Sequence, residues 1–93
     1  MVDMTKKIHE QITEESWCPL GGGNVEGTSF CAAVWVDVRY GVTSGYDIRV
    51  KMCKLLGLNW RDPLLPSTVI HGWNDKPGRT FAEVKDLFVR LDI

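Results

Sequence analysis

Most of the side chains that could do chemistry stand in one stretch, His71 followed by Gly72-Trp73-Asn74-Asp75-Lys76-Pro77-Gly78-Arg79-Thr80-Phe81-Ala82-Glu83. An imidazole, a carboxylate and a guanidinium at His71, Asp75 and Arg79 are the groups a small polar ligand needs. On that reading Asp75 and Arg79 line a pocket against Trp73, and Asn74 reads a polar group of the ligand. The same residues also admit a structural reading. Trp73 then anchors the turn in the core, Asn74 or Asp75 caps backbone amides, and Arg79 pairs with Asp75 or Asp37. A buried arginine paired in this way fixes geometry more than it adds stability. The structural reading leads, and no catalytic residue is assigned.

The cysteines at 18, 31 and 53 are odd in number, so they cannot all pair within the chain. His71 with a cysteine or a carboxylate suggests a thiol nucleophile or a metal site. The two histidines lie far apart and no Cys-x-x-Cys occurs, so no zinc pattern is present. A cysteine–histidine pair must meet in space, which spacing does not show. Cys31 and Cys53 have apolar neighbours, where a thiol is usually inert. Gly21-Gly22-Gly23 lacks the Lys-Ser/Thr ending of a phosphate loop and follows no strand. It reads as a flexible turn or a lid. No cofactor and no metal are implied.

Four tryptophans, at 17, 35, 60 and 73, are many for 93 residues. Each is large, and its indole N–H wants a partner when buried. Trp35 and Trp60 sit beside charged residues and are the candidates for a partner surface. The chain is 44% hydrophobic, with 11 basic and 12 acidic residues and a net charge of −1. It reads as one domain, able to bury roughly 60–65% of its unfolded surface. No basic block marks a nucleic-acid binder; that function would need Arg39, Arg49, Lys51 and Lys54 gathered on one face. The first fifteen residues are polar, with no leader-like apolar region, and no run approaches a membrane span. A cytoplasmic protein with reduced thiols is expected.

The elements that position these groups read as helices. Met4, Ile8 and Ile12 predict an amphipathic helix over about 5–15, capped by Asp3 or Thr5. Residues 29–40 are ambiguous. Val34, Val36, Val38 and Tyr40 alternate as in a strand, whereas Phe30, Ala33, Val34, Asp37 and Val38 fit a helical stripe. A lone strand has nothing to pair with, so helix is chosen, capped by Thr28 or Ser29 and stopped at Gly41. A third helix opens at Ser44-Gly45-Tyr46-Asp47. It buries Ile48, Met52, Leu55 and Leu56, exposes Arg49, Lys51 and Lys54, and ends at Gly57. Leu64 and Leu65 are expected to tuck inward, and Ser67 to cap a short helix ending near Trp73. Thr80 and Glu83 form a capping box before the stripe Phe81, Val84, Leu87, Phe88 and Leu91. The fold expected is all-α, a single small domain of about five helices over 1–93.

Trp17 with a nearby glycine, Phe30-Cys31-Ala32, Trp73-Asn74-Asp75, Arg79-Thr80 and Glu83-Val84 together resemble a bacterial family of small helical proteins known only as a domain of unknown function. The resemblance spans about residues 8–91 and implies a helical fold without an assigned activity. The chain departs from the family at Val34 and Trp35, where members carry small residues. It is also similar to proteins encoded on mobile gene cassettes. The expected function is a binding or interaction protein acting as a homodimer. The alternative is a small enzyme or ligand-binding protein with its site around His71, Asp75 and Arg79.

Overall fold

In the computed structural model, residues 2–19, 29–59 and 65–93 are described. Five helices occur among them: α1 (Ile8–Gln11), α2 (Ala32–Tyr40), α3 (Val42–Leu56), α4 (Pro66–Asn74) and α5 (Phe81–Leu91). No strand forms among the described residues, so the all-α expectation holds; the only extended pairing described is an isolated parallel bridge between Trp17 and Phe30. Helices α2, α3 and α4 pack mutually, and α5 lies against α1 and α3. Their shared core contains Ile8, Ile12, Trp17, Cys31, Trp35, Val36, Met52, Ile70, Val84, Leu87 and Phe88. Fully burying a side chain such as Phe88 or Ile70 contributes about 1.5–3 kcal/mol.

Helix α1 is one turn, not the expected three. Polar side chains capture the backbone on either side of it. Asp3 accepts from the amide and hydroxyl of Thr5 (2.8 and 2.6 Å). Beyond the helix, the Thr13 amide donates to Ser16 Oγ at 2.8 Å and Ile12 turns to extended backbone. Such local bonds compete with helix propagation. Met4, expected on the apolar stripe, is exposed. What seats α1 is the chain's end: the Ile8 amide donates to the Ile93 carbonyl, and Lys7 Nζ lies 2.7 Å from Asp92 Oδ2.

Helix α2 starts three residues later than expected, with Cys31 at its N-cap, because Phe30 is held in the bridge to Trp17. Gly41 ends α2 and starts α3 without a loop, at φ +85° and ψ 164°. That region is open essentially to glycine alone. One turn on, Gly45 lets α2 approach: an added Cβ would stand 3.1 Å from Asp37 Oδ1 and 3.3 Å from Val36 Cγ1. Arg49 follows from the same crossing. Expected on the wet face of α3, it is buried and salt-bridged to Asp37. Desolvation holds its pKa below the ordinary arginine value.

Gly57 ends α3 in the left-handed conformation, as expected. Helix α4 begins with Pro66 in its first turn, where the missing N–H costs nothing, and not with a Ser67 cap. Leu65 is exposed instead of tucked inward; Leu64, Thr28 and Gly21-Gly22-Gly23 lie outside the described residues. Helix α5 carries the predicted box: the Glu83 amide donates to Thr80 Oγ1 at 3.3 Å, and the Thr80 amide to Glu83 Oε1 at 3.0 Å. No helix among the described residues is long and apolar enough to cross a membrane.

Candidate functional site

The C-terminal end of α4 carries His71, Trp73 and Asn74, and each has a different task. Asn74 is fully buried. Its Oδ1 accepts from the Trp17 indole Nε1 at 2.8 Å and from the Ala32 amide at 3.0 Å. Its Nδ2 donates to the Cys18 carbonyl and to Asp75 Oδ1, each at 3.0 Å. A buried amide with four bonds is satisfied internally, so it has nothing left for a ligand. The Ala32 amide belongs to the first turn of α2, so α2 is capped from another helix. The amide-capping role foreseen for Asn74 or Asp75 therefore falls to Asn74.

Trp73 is half-buried, and the Arg79 guanidinium lies over its ring at 4.0 Å. Arg79 Nε donates to the Trp73 carbonyl at 2.8 Å, and Nη1 to Glu83 Oε2 at 2.7 Å. The expected partners were Asp75 and Asp37. Asp37 is taken by Arg49, and the helical i, i+4 spacing delivers Glu83 to Arg79. The Thr80 backbone amide, with smaller contributions from the Thr80 hydroxyl and Arg79, holds the Glu83 carboxyl below its ordinary pKa.

His71 turns the other way. Its Nδ1 lies 3.2 Å from Cys31 Sγ. Cys31 is buried, and desolvation raises its thiol pKa; the amides of Val34 and Ala33, at the start of α2, pull it down by less. The cysteine–histidine contact is therefore real, but the sulfur is shut away from bulky reactants. Among the described residues no group of three or more His, Cys, Asp or Glu side chains could hold a metal ion.

Among the described residues, two surface cavities flank this region. One, of about 240 Å³, is lined by Pro19, Asp75, Lys76, Pro77, Gly78 and Arg79. It brings together Asp75 and Arg79 of the proposed ligand trio, but His71 is not in its wall. The other, of about 210 Å³, is a groove between α3 and α5. Leu55, Leu56, Trp73 and Leu87 supply its apolar lining, and Arg79, Glu83, Asp86 and Arg90 the polar one. Those four charges form two ion pairs, Arg79–Glu83 at the start of α5 and Arg90–Asp86 along it, both at 2.7 Å.

Trp35, expected at a partner surface, belongs to the core. It is 3% exposed, meets Phe30 edge-on at 5.5 Å and donates from Nε1 to the Ser16 carbonyl at 2.9 Å. Trp60 lies outside the described residues. The basic cluster needed for nucleic acid does not assemble as imagined, because Arg49 is buried against Asp37 and Arg39 Nε donates to the Lys6 carbonyl. Residue-level reasoning missed Trp17 and Cys31 as members of the Asn74 and His71 constellation. The one available signal was the 71-to-74 spacing, which puts both side chains on one face of α4. The chain matches no family model, no curated protein and no solved structure.

Proposed function

We propose that the protein is a small, non-enzymatic interaction module of the bacterial cytoplasm, kin to the family its Trp73-Asn74-Asp75 and Arg79-Thr80 turn resembles. It works as a homodimer that docks through the α3–α5 groove. The observation that supports this reading is the size and lining of that groove. At about 210 Å³ it is smaller than the ~300–1,000 Å³ typical of small-molecule sites. It suits a partner's side chain better than a cofactor. Its charges are already paired with each other, so its rim favours neither an anionic nor a cationic ligand. Leu55 lines the groove and is still 44% exposed. A protruding leucine beside a cavity is a self-complementary patch, which a two-fold axis pairs with its own copy.

The ligand-binding alternative has less support, since His71 faces Cys31 while Asp75 and Arg79 share a different cavity. Sedimentation velocity from about 1 µM to about 500 µM tests the dimer, a range that brackets modest affinities. The chain should pass from monomer to dimer. Leu55→Arg, at an exposed position that leaves the core intact, should weaken association by at least about 30-fold, the effect of losing one hot-spot side chain. A monomer at every concentration, or a dimer indifferent to Leu55→Arg, contradicts the proposal.

A further inference from the structure

The bridge between Trp17 and Phe30 sets two cysteines next to each other. It is parallel, with the Phe30 amide donating to the Ser16 carbonyl and the Cys18 amide to the Phe30 carbonyl, each at 3.0 Å. In that register Cys18 and Cys31 are the residues that follow the bridged pair, one on each segment. Bridged extended segments run about 4.8 Å apart at the bridge itself, one residue before the cysteines, and a disulfide spans Cα separations of ~4.4–6.8 Å.

Asn74 grips the same two places from α4. It donates to the Cys18 carbonyl and accepts from the amide of Ala32, the residue after Cys31. One turn earlier on α4, His71 Nδ1 sits 3.2 Å from Cys31 Sγ. Cys18 is partly exposed, whereas Cys31 is buried. An external reagent therefore reaches Cys18 first, and Cys31 is placed to respond from within.

We infer that Cys18 and Cys31 are a dithiol site that closes to an intramolecular disulfide by exchange with a low-molecular-weight disulfide, with His71 as the base for Cys31. In the first step the Cys18 thiolate attacks one sulfur of the small disulfide. That S–S bond breaks, one half leaves as a thiolate and takes up the proton Cys18 lost, and the other half stays on Cys18 as a mixed disulfide. In the second step His71 accepts the Cys31 proton, and the Cys31 thiolate attacks Cys18 Sγ. The mixed disulfide breaks, and the second small thiol leaves with the proton carried by His71. Two protein thiols are oxidised to one disulfide, and one small disulfide is reduced to two thiols.

Burial disfavours the Cys31 thiolate, which is why the second step needs a base in contact with the sulfur. Cys53 is the internal control: it lies on α3 with its Sγ near the Pro66 carbonyl, not in the bridged pair. The site is independent of the groove and of self-association.

The test is to incubate the full chain with oxidised glutathione, quench by alkylation and map peptides by mass spectrometry. A Cys18–Cys31 cross-link with Cys53 alkylated is expected. Cys18→Ser should yield neither the cross-link nor an adduct on Cys31. Cys31→Ala should trap glutathione on Cys18. His71→Gln should keep that mixed disulfide longer, with closure slowed by roughly tenfold through the lost thiolate fraction. His71 and Cys18 are not fully buried, so these two variants keep the test decisive if Cys31→Ala does not fold. A wild-type adduct that never closes, or a cross-link to Cys53, overturns the site. Closure at an unchanged rate in His71→Gln overturns the role given to His71.

Discussion

Asn74 holds four groups with one buried side chain, and three of them come from residues 42 to 57 positions away. Asn74→Ala would leave the Trp17 indole, the Ala32 amide and the Cys18 carbonyl without their partner. Each buried orphan costs about 1–3 kcal/mol, so the substitution should remove about 3–9 kcal/mol of the ~5–15 kcal/mol that stabilises a domain. Urea unfolding measures it; a loss below about 1 kcal/mol would show that the network is not what holds α2 and α4 together. Carboxylates held low in the folded state set the acid limit, Glu83 and Asp92 among them. Glu83 is held low chiefly by the Thr80 amide, and Asp92 chiefly by its hydrogen bond from Lys7, with His9 next. In both cases the unfolded chain binds protons more readily, so stability rises with pH across the window between the depressed folded value and the ordinary one near 4. The urea midpoint should hold from neutral pH to about pH 5 and then fall, and Glu83→Gln should flatten part of that fall. An acid limb unchanged by Glu83→Gln contradicts the assignment. The Thr80–Glu83 box was legible in the sequence because four consecutive residues contain it. The partners of Asn74 were not, because only the closed fold brings 17, 32 and 74 together.

At the scale of elements, the joint between α2 and α3 depends on one backbone conformation. Gly41 has open space around it, so a methyl group there meets no atom within 4 Å and the whole effect is torsional. Gly41→Ala should destabilise by about 1–3 kcal/mol. Gly72, inside α4 and equally uncrowded, is the matched control. Gly72→Ala should stabilise by about 0.5–1 kcal/mol, because alanine is the better helix former. Thermal unfolding of the two variants should therefore move in opposite directions; a shared direction contradicts the account of the joint. Legibility followed amphipathicity. Helix α5 turns Val84, Leu87 and Phe88 inward and leaves its other side wet, and its start at the Thr80–Glu83 box was read correctly. Helix α2 packs against α1, α3 and α4 at once, so Ala32, Ala33, Trp35 and Val36 are all buried and no single stripe stands out. That is why its pattern also read as a strand. Helix α1 was overestimated because the Asp3–Thr5 and Thr13–Ser16 bonds outcompete the helix its periodicity suggested.

The whole molecule has a radius of gyration of 12.1 Å, which is what a folded chain of this length shows, near ~12 Å. At this scale Arg79 bonds to the Trp73 carbonyl and to Glu83 within the turn, and the groove beside them, part apolar and part charged, looks outward. Composition pointed to association through an excess of large aromatics, but of the two tryptophans it selected Trp35 fills the interior and Trp60 lies outside the described residues. The groove was not readable because its walls come from α3 and α5, which are distant in sequence and meet only on packing. The most direct measurement is a dilution series of methyl NMR spectra on the full chain. Self-association through the groove predicts that the Leu55, Leu56 and Leu87 methyls shift with concentration while those of Ile8 and Ile70, buried elsewhere in the core, stay fixed. Groove methyls that do not move across the series, or shifts confined to another face, would contradict it.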